Sequence, residues 1–118
     1  MTGTITFPAT APCPLDRGQL ARLRFVLTDQ RRFRLEQLAE LERRRAVRNE
    51  AAAEVARSLA TGARAALTDI CDALRQIDAG RYGWCRDCGA PLPVERLDLL
   101  PHVTRCSDCL RIPYPRRA

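Results

Sequence analysis

With 118 residues, of which only three are Phe, two Tyr and one Trp, the chain is too short and too poor in aromatic side chains for a large globular core, and it supports one compact domain at most. All 20 basic residues are Arg, against 14 Asp and Glu, and the formal net charge of +6 implies attraction to an anionic partner, whether nucleic acid or an acidic protein channel. No apolar run is long enough to span a bilayer and the first residues lack the charged and apolar segments of a secretory leader, so the expectation is a cytoplasmic protein that makes no membrane contact.

Residues 1–15 carry Pro8, Pro12 and Pro14 among small and polar residues and read as a flexible tail, with Cys13 an ordinary thiol. Asp16 is placed to cap a helix. Beyond it Ala, Leu, Arg and Glu dominate, with no Gly between Gly18 and Gly62 and no Pro between Pro14 and Pro91, which is the composition of long helices. In a first arm Leu20, Leu23 and Leu27, then Leu35, Leu38 and Leu41, recur at helical spacing, and the stretch between the two groups adds only Phe33. A second arm is more regular: Ala52, Ala56, Leu59, Ala63, Ala66, Ile70, Ala73 and Ile77 alternate steps of four and three, the period of a left-handed coiled coil. Its alanines permit close approach of a partner helix, and Cys71 within it is a small apolar side chain. Gly80 then ends the arm.

Residues 16–79 are therefore expected to form an antiparallel helical hairpin. Two equal arms put the reversal near residues 45–50, where Asn49 offers a cap; a rival turn at Thr61 and Gly62 would strand Ala52 to Leu59 without a partner. Arms of roughly thirty residues at about 1.5 Å per residue project about 45 Å. Arginines cluster at Arg31, Arg32 and Arg34, at Arg43, Arg44, Arg45 and Arg48, and at Arg111, Arg116 and Arg117. Each cluster has a plain reading as a solvated face or tail, with Glu36, Glu40, Glu42, Glu50 and Glu54 nearby. The second, at the expected tip, is the candidate partner-binding group.

The strongest chemical signal lies farther on, in Cys85, Cys88, Cys106 and Cys109, two CxxC pairs separated by residues 89–105. A CxxC turn delivers two sulfurs to one ion at about 2.3 Å, and this separation is usual for a second pair that closes a tetrahedral zinc shell. Gly89 suits the wrap of the backbone around a metal. A disulfide framework belongs to secreted chains, which nothing here supports. One structural Zn2+ per chain is expected, organising residues 80–112 as a small module. Pro91 and Pro93 interrupt regular structure, Val94 to Leu100 can form a short helix before Pro101, and Leu97, Leu99 and Leu100 are expected to cover the zinc site and the hairpin base. Residues 113–118 read as a basic Pro-rich tail.

Catalysis is not expected, because four thiolates close the metal shell and catalytic zinc needs an open position. His102 reads as a surface group or a neighbour of the site rather than a ligand. No HxE motif precedes PCxxC, and there is no phosphate-cradling glycine loop.

The stretch GRYGWCRDCGAPLPVERLDLLPHVTRCSDC, residues 80–109, resembles the DksA/TraR family of bacterial C4 zinc-finger proteins in Tyr82 and Gly83, Cys88 with Gly89, the run Glu95, Arg96, Leu97, then Pro101 and the closing cysteines. The resemblance implies a transcription regulator that docks on RNA polymerase and inserts its hairpin through the secondary channel; the chain itself is expected to be a monomer. It further implies an acidic tip motif of the form DxxDxA near the polymerase catalytic centre. The corresponding place falls at about Arg45 to Val47, where this chain reads RRRAVRNEAAAE, so the tip is basic and the alarmone-linked output of the family is not carried over. A different class of function, an Arg-rich prong contacting ribosomal RNA or another nucleic acid, predicts binding that weakens steeply with salt.

Overall fold

The computed structural model describes residues 15–45 and 50–111, with the side chain of Arg45 left aside. Cys13, Arg45 as a side chain, Arg48, Asn49, and the expected tail of residues 113–118 with Arg116 and Arg117 lie outside the described residues. Two helices of 29 residues each, α1 (Arg17–Arg45) and α2 (Glu50–Asp78), pack as an antiparallel hairpin. Two short helices follow, α3 (Val94–Leu99) and α4 (Ser107–Leu110). The longest dimension is 57 Å, a prong on a small base.

Local chemistry sets the boundaries. The Gln19 N–H donates to Asp16 Oδ1 at 2.7 Å while the Asp16 N–H donates to Gln19 Oε1 at 2.9 Å, a reciprocal capping box that satisfies two helix-start donors. At the other end of the hairpin Gly80 takes φ 75°, the Arg81 N–H reaches the Gln76 carbonyl at 2.8 Å, and the Gly80 N–H reaches Ile77 at 3.1 Å. This is a Schellman closure, which turns the chain out of α2 toward the base. The helix ends at Arg45 and Glu50 put the reversal between them, and α2 runs unbroken through Thr61 and Gly62.

The seam differs from its expected register in two places. On α1, Leu23, Leu27 and Leu41 are buried, but Leu35 is 51% and Phe33 59% exposed. The half-buried residues between the leucines are Gln30, Arg34, Gln37, Leu38 and Glu40, because steps of three and four from Leu27 land on 30, 34 and 37 before Leu41, with Leu38 and Glu40 flanking that line. On α2, Ala56, Ala63, Ile70 and Ile77 hold the expected line, but Leu59 is 49% exposed and Ala60 is buried in its stead. Ala52 is likewise exposed, with Ala53 half-buried. The tip half thus meets through methyl groups, a closer contact than leucine allows.

These substitutions divide the interior. A large cluster joins Leu23 and Leu27 of α1, Ile70, Ala73, Leu74 and Ile77 of α2, and Tyr82, Cys85, Leu92, Leu97 and Val103 of the base. A small one near the tip holds Leu41, Ala56 and Ala60, with Leu38 against it. Between them Arg34 Nη1 donates to Gln37 Oε1 at 2.9 Å. Leu97 fills the base as expected; Leu99 and Leu100 do not, being 81% and 43% exposed, since α3 buries one narrow face and its last turn faces out. Exposed pairs between elements, Arg24 with Asp78 at 2.5 Å and Arg22 with Asp98 at 2.6 Å, fasten the lower hairpin, each worth well under about 1 kcal/mol. No described helix is long and apolar enough to cross a membrane.

Candidate metal centre

The first knuckle is a tight turn built by backbone hydrogen bonds. The Cys85 N–H donates to the Ala90 carbonyl at 2.7 Å and the Gly89 N–H returns to Cys85 at 2.8 Å, with Gly89 at φ 79°, a left-handed conformation that a side chain would strain. An isolated bridge pairs Trp84 with Pro91, and the Leu92 N–H reaches Gly83 at 2.8 Å. The second knuckle is carried by Cys106, just before α4, and Cys109 within it. The Arg86 N–H to Thr104 carbonyl bond at 2.8 Å lays one knuckle against the other. Arg105 and Asp87, 2.7 Å apart, tie them again from the outside.

The four sulfurs of Cys85, Cys88, Cys106 and Cys109 lie within 4.8 Å of one another. Cys88 and Cys106 stand 3.7 Å apart. That is far beyond a disulfide bond of about 2.05 Å, and it matches the edge of about 3.8 Å of a tetrahedron whose centre is about 2.3 Å from each corner. Cys85 is fully buried, Cys106 and Cys109 are half-buried, and Cys88 is exposed. The donor set and its spacing fit one structural Zn2+, with no fifth position offered by a neighbouring side chain among the described residues. His102 and Cys71 both stand outside the cluster.

The electrostatics run in the same direction. Burial pushes the Cys85 thiol up, but N–H groups of Cys106, Cys88 and Asp87 aimed at its sulfur outweigh that and bring it down to about 7. Cys109 is pushed up by burial and by the sulfurs of Cys106, Cys85 and Cys88 around it. Four thiolates cannot coexist this closely without a cation among them, so ionising all of them is coupled to metal binding. Tyr82, 2% exposed, braces the site from below by donating to the Pro101 carbonyl at 2.7 Å. Its phenol is held well above the ordinary value by burial first and by the Asp98 carboxylate second.

At the far end of the prong Arg43 and Arg44 are exposed, and both engage Glu40, Arg44 Nε at 3.4 Å from Glu40 Oε2. The hydrogen bond from Arg43 holds the Glu40 carboxyl below its usual range. Sequence pattern marked these arginines as a basic group; their shared carboxylate partner follows only from the i, i+3 and i, i+4 geometry of α1. Sequence spacing alone also gave no sign of Ser107, which receives a hydrogen bond from Arg96 Nη1 at 3.0 Å across the module.

Comparison with known proteins supports this anatomy. Residues 80–115 match the prokaryotic dksA/traR C4-type zinc finger. A curated relative, the uncharacterized protein YlyA of Bacillus subtilis, is 39% identical over 44 residues. That stretch spans 37% of this chain and 36% of YlyA, so the relative is matched over about a third of its own length. The solved structure of transcription factor DksA2 from Pseudomonas aeruginosa superposes with a TM-score of 0.62 at 26% identity, over 85% of this chain and 87% of that one.

Proposed function

This chain is a DksA/TraR-type C4 zinc-finger protein, and from that premise we propose that it is a transcription regulator that binds RNA polymerase, entering by the secondary channel with its helical hairpin. The observation that carries the reading is the likeness to transcription factor DksA2 over hairpin and finger together, 85% of the chain. A finger alone is compatible with many partners. A finger whose core is continuous with the foot of a long narrow prong suits a base that docks outside a channel while the prong reaches in. Residues 16–79 serve as the prong and 80–112 as the base, in a cytoplasmic monomer. Cys85, Cys88, Cys106 and Cys109 supply the zinc ligands, and the ion's part is to hold the base folded.

The tip, with Arg43, Arg44, Arg45 and Arg48, would be repelled by a magnesium-centred active site and drawn to phosphates or acidic side chains. Its role is accordingly to contact anionic groups in or beside the channel rather than to bring carboxylates to the metal. Cross-linking from residues 43–50 in tagged protein purified from its own host tests both statements. Polymerase subunits are expected among the recovered proteins, with cross-links to the channel wall, and purified transcription is expected to respond to the protein. Recovery of ribosomal components instead, with salt-sensitive RNA binding and no effect on transcription, would replace this function with the nucleic-acid one.

A further inference from the structure

A tetrathiolate zinc centre carries a net charge of −2, and a partly buried dianion needs hydrogen-bond donors or cations around it. The first knuckle is served by the N–H groups of Asp87, Cys88 and Cys106 on Cys85 and by that of Ala90 on Cys88. The arginines of the base are mostly committed to carboxylates: Arg86 to Asp72 at 3.6 Å, Arg105 to Asp87 at 2.7 Å, Arg111 to Asp108 at 2.6 Å. Asp98 is already held by Arg22.

Arg96 differs from them. It sits on α3 and forms no ion pair with a carboxylate among the described residues, and its Nη1 donates to Ser107 Oγ at 3.0 Å. Ser107 directly follows Cys106 and opens the helix that carries Cys109. The Arg96 Nε is buried and has no hydrogen-bond partner. A guanidinium donor closed off from water without an acceptor is costly, about 1–3 kcal/mol or more for a charged group. A cation with no carboxylate partner among the described residues and the sulfur dianion belong to the same small module, and Arg96 is tied to the residue beside one of the ligands.

We infer that Arg96 is the counter-charge of the zinc–thiolate centre, anchored through Ser107 so that its guanidinium steadies the Cys106–Cys109 knuckle in the metal-bound state. It is a positioning residue: it acts on the metal through the charge and orientation of the ligands. The inference rests on the four-cysteine ligand set proposed above.

The test uses the full chain, with zinc affinity read by competition against a chromophoric chelator and the ligand set read from the absorption of the cobalt(II)-loaded protein. Arg96→Met and Arg96→Gln are expected to weaken zinc binding about 10- to 100-fold, the range for loss of a group that supports metal ligands. Arg96→Lys, which keeps the charge, is expected to recover most of that loss. Gln retains a donor for Ser107, so a bridge of purely structural value would leave Arg96→Gln closer to the parent than Arg96→Lys. That order overturns the inference, as does an affinity of Arg96→Gln within twofold of the parent. Parent protein lacking the thiolate-to-cobalt bands of a tetrahedral sulfur site would overturn the ligand set itself, and this inference with it. Normal parent bands with an unmoved Arg96→Gln affinity would overturn this inference alone.

Discussion

Tyr82 shows how one side chain can link the base to the hairpin. Its ring belongs to the cluster shared with Leu74 and Ile77, and its hydroxyl closes onto the Pro101 carbonyl at 2.7 Å. Since the folded phenol is raised above its unfolded value of about 10, the native state keeps a proton that the unfolded chain releases. Its stabilising effect is complete below about pH 10 and is lost progressively above it. Tyr82→Phe is expected to cost about 1–3 kcal/mol by leaving the carbonyl without its donor, and to flatten the decline in stability above pH 10. Denaturant titrations of zinc-loaded protein at pH 8 and pH 10.5 check this; an unchanged alkaline decline in the variant would contradict it.

At the scale of elements, the hairpin is held by two unequal apolar clusters with Gln30, Arg34 and Gln37 between them. A leucine at such a half-buried seam position removes apolar surface from water, and Gln30→Leu is expected to stabilise the hairpin by about 1 kcal/mol, whereas Gln37→Leu also takes the acceptor from Arg34 and is expected to gain less. Chemical denaturation of zinc-loaded protein measures this, and destabilisation by both would show that the polar layer is instead well satisfied. The existence of both arms and their outer ends were legible in the sequence, because Asp16 and Gly80 report local backbone chemistry; the turn between them stayed open, since Thr61 and Gly62 offered a rival that α2 runs straight through. The seam of α1 was not legible. Leu35 is as good a core residue as Leu38 by composition, and only the interhelical packing decides that Gln30 and Arg34 face inward while Phe33 and Leu35 do not. Leu59 and Ala60 show the same limit, for a size-based reading favours leucine where the close approach of the helices selects alanine. The gathering of the four cysteines, by contrast, was legible, since CxxC spacing is itself a geometric constraint and the four sulfurs lie within 4.8 Å of one another. Ser107 and Arg96 were not marked as partners, because a contact between α3 and α4 leaves no periodic trace.

For the whole molecule, the decisive feature is that finger and hairpin share one interior. Cys85, Leu92, Leu97 and Val103 of the base pack in the same cluster as Leu23, Leu27, Ile70 and Leu74 of the prong. The tip cluster of Leu41, Ala56 and Ala60 is too small to sustain a fold alone. Zinc bound only by the folded module contributes its binding free energy to folding, on the order of 10 kcal/mol for structural sites, and through the shared cluster that support reaches the foot of the prong. Amide hydrogen exchange of the full chain, followed by mass spectrometry before and after zinc is chelated under reducing conditions, measures this coupling most directly. Chelation is expected to abolish protection across residues 82–110 and to weaken it in the lower turns of both long helices. Equal protection with and without the metal would contradict the account of a prong whose base is held by zinc.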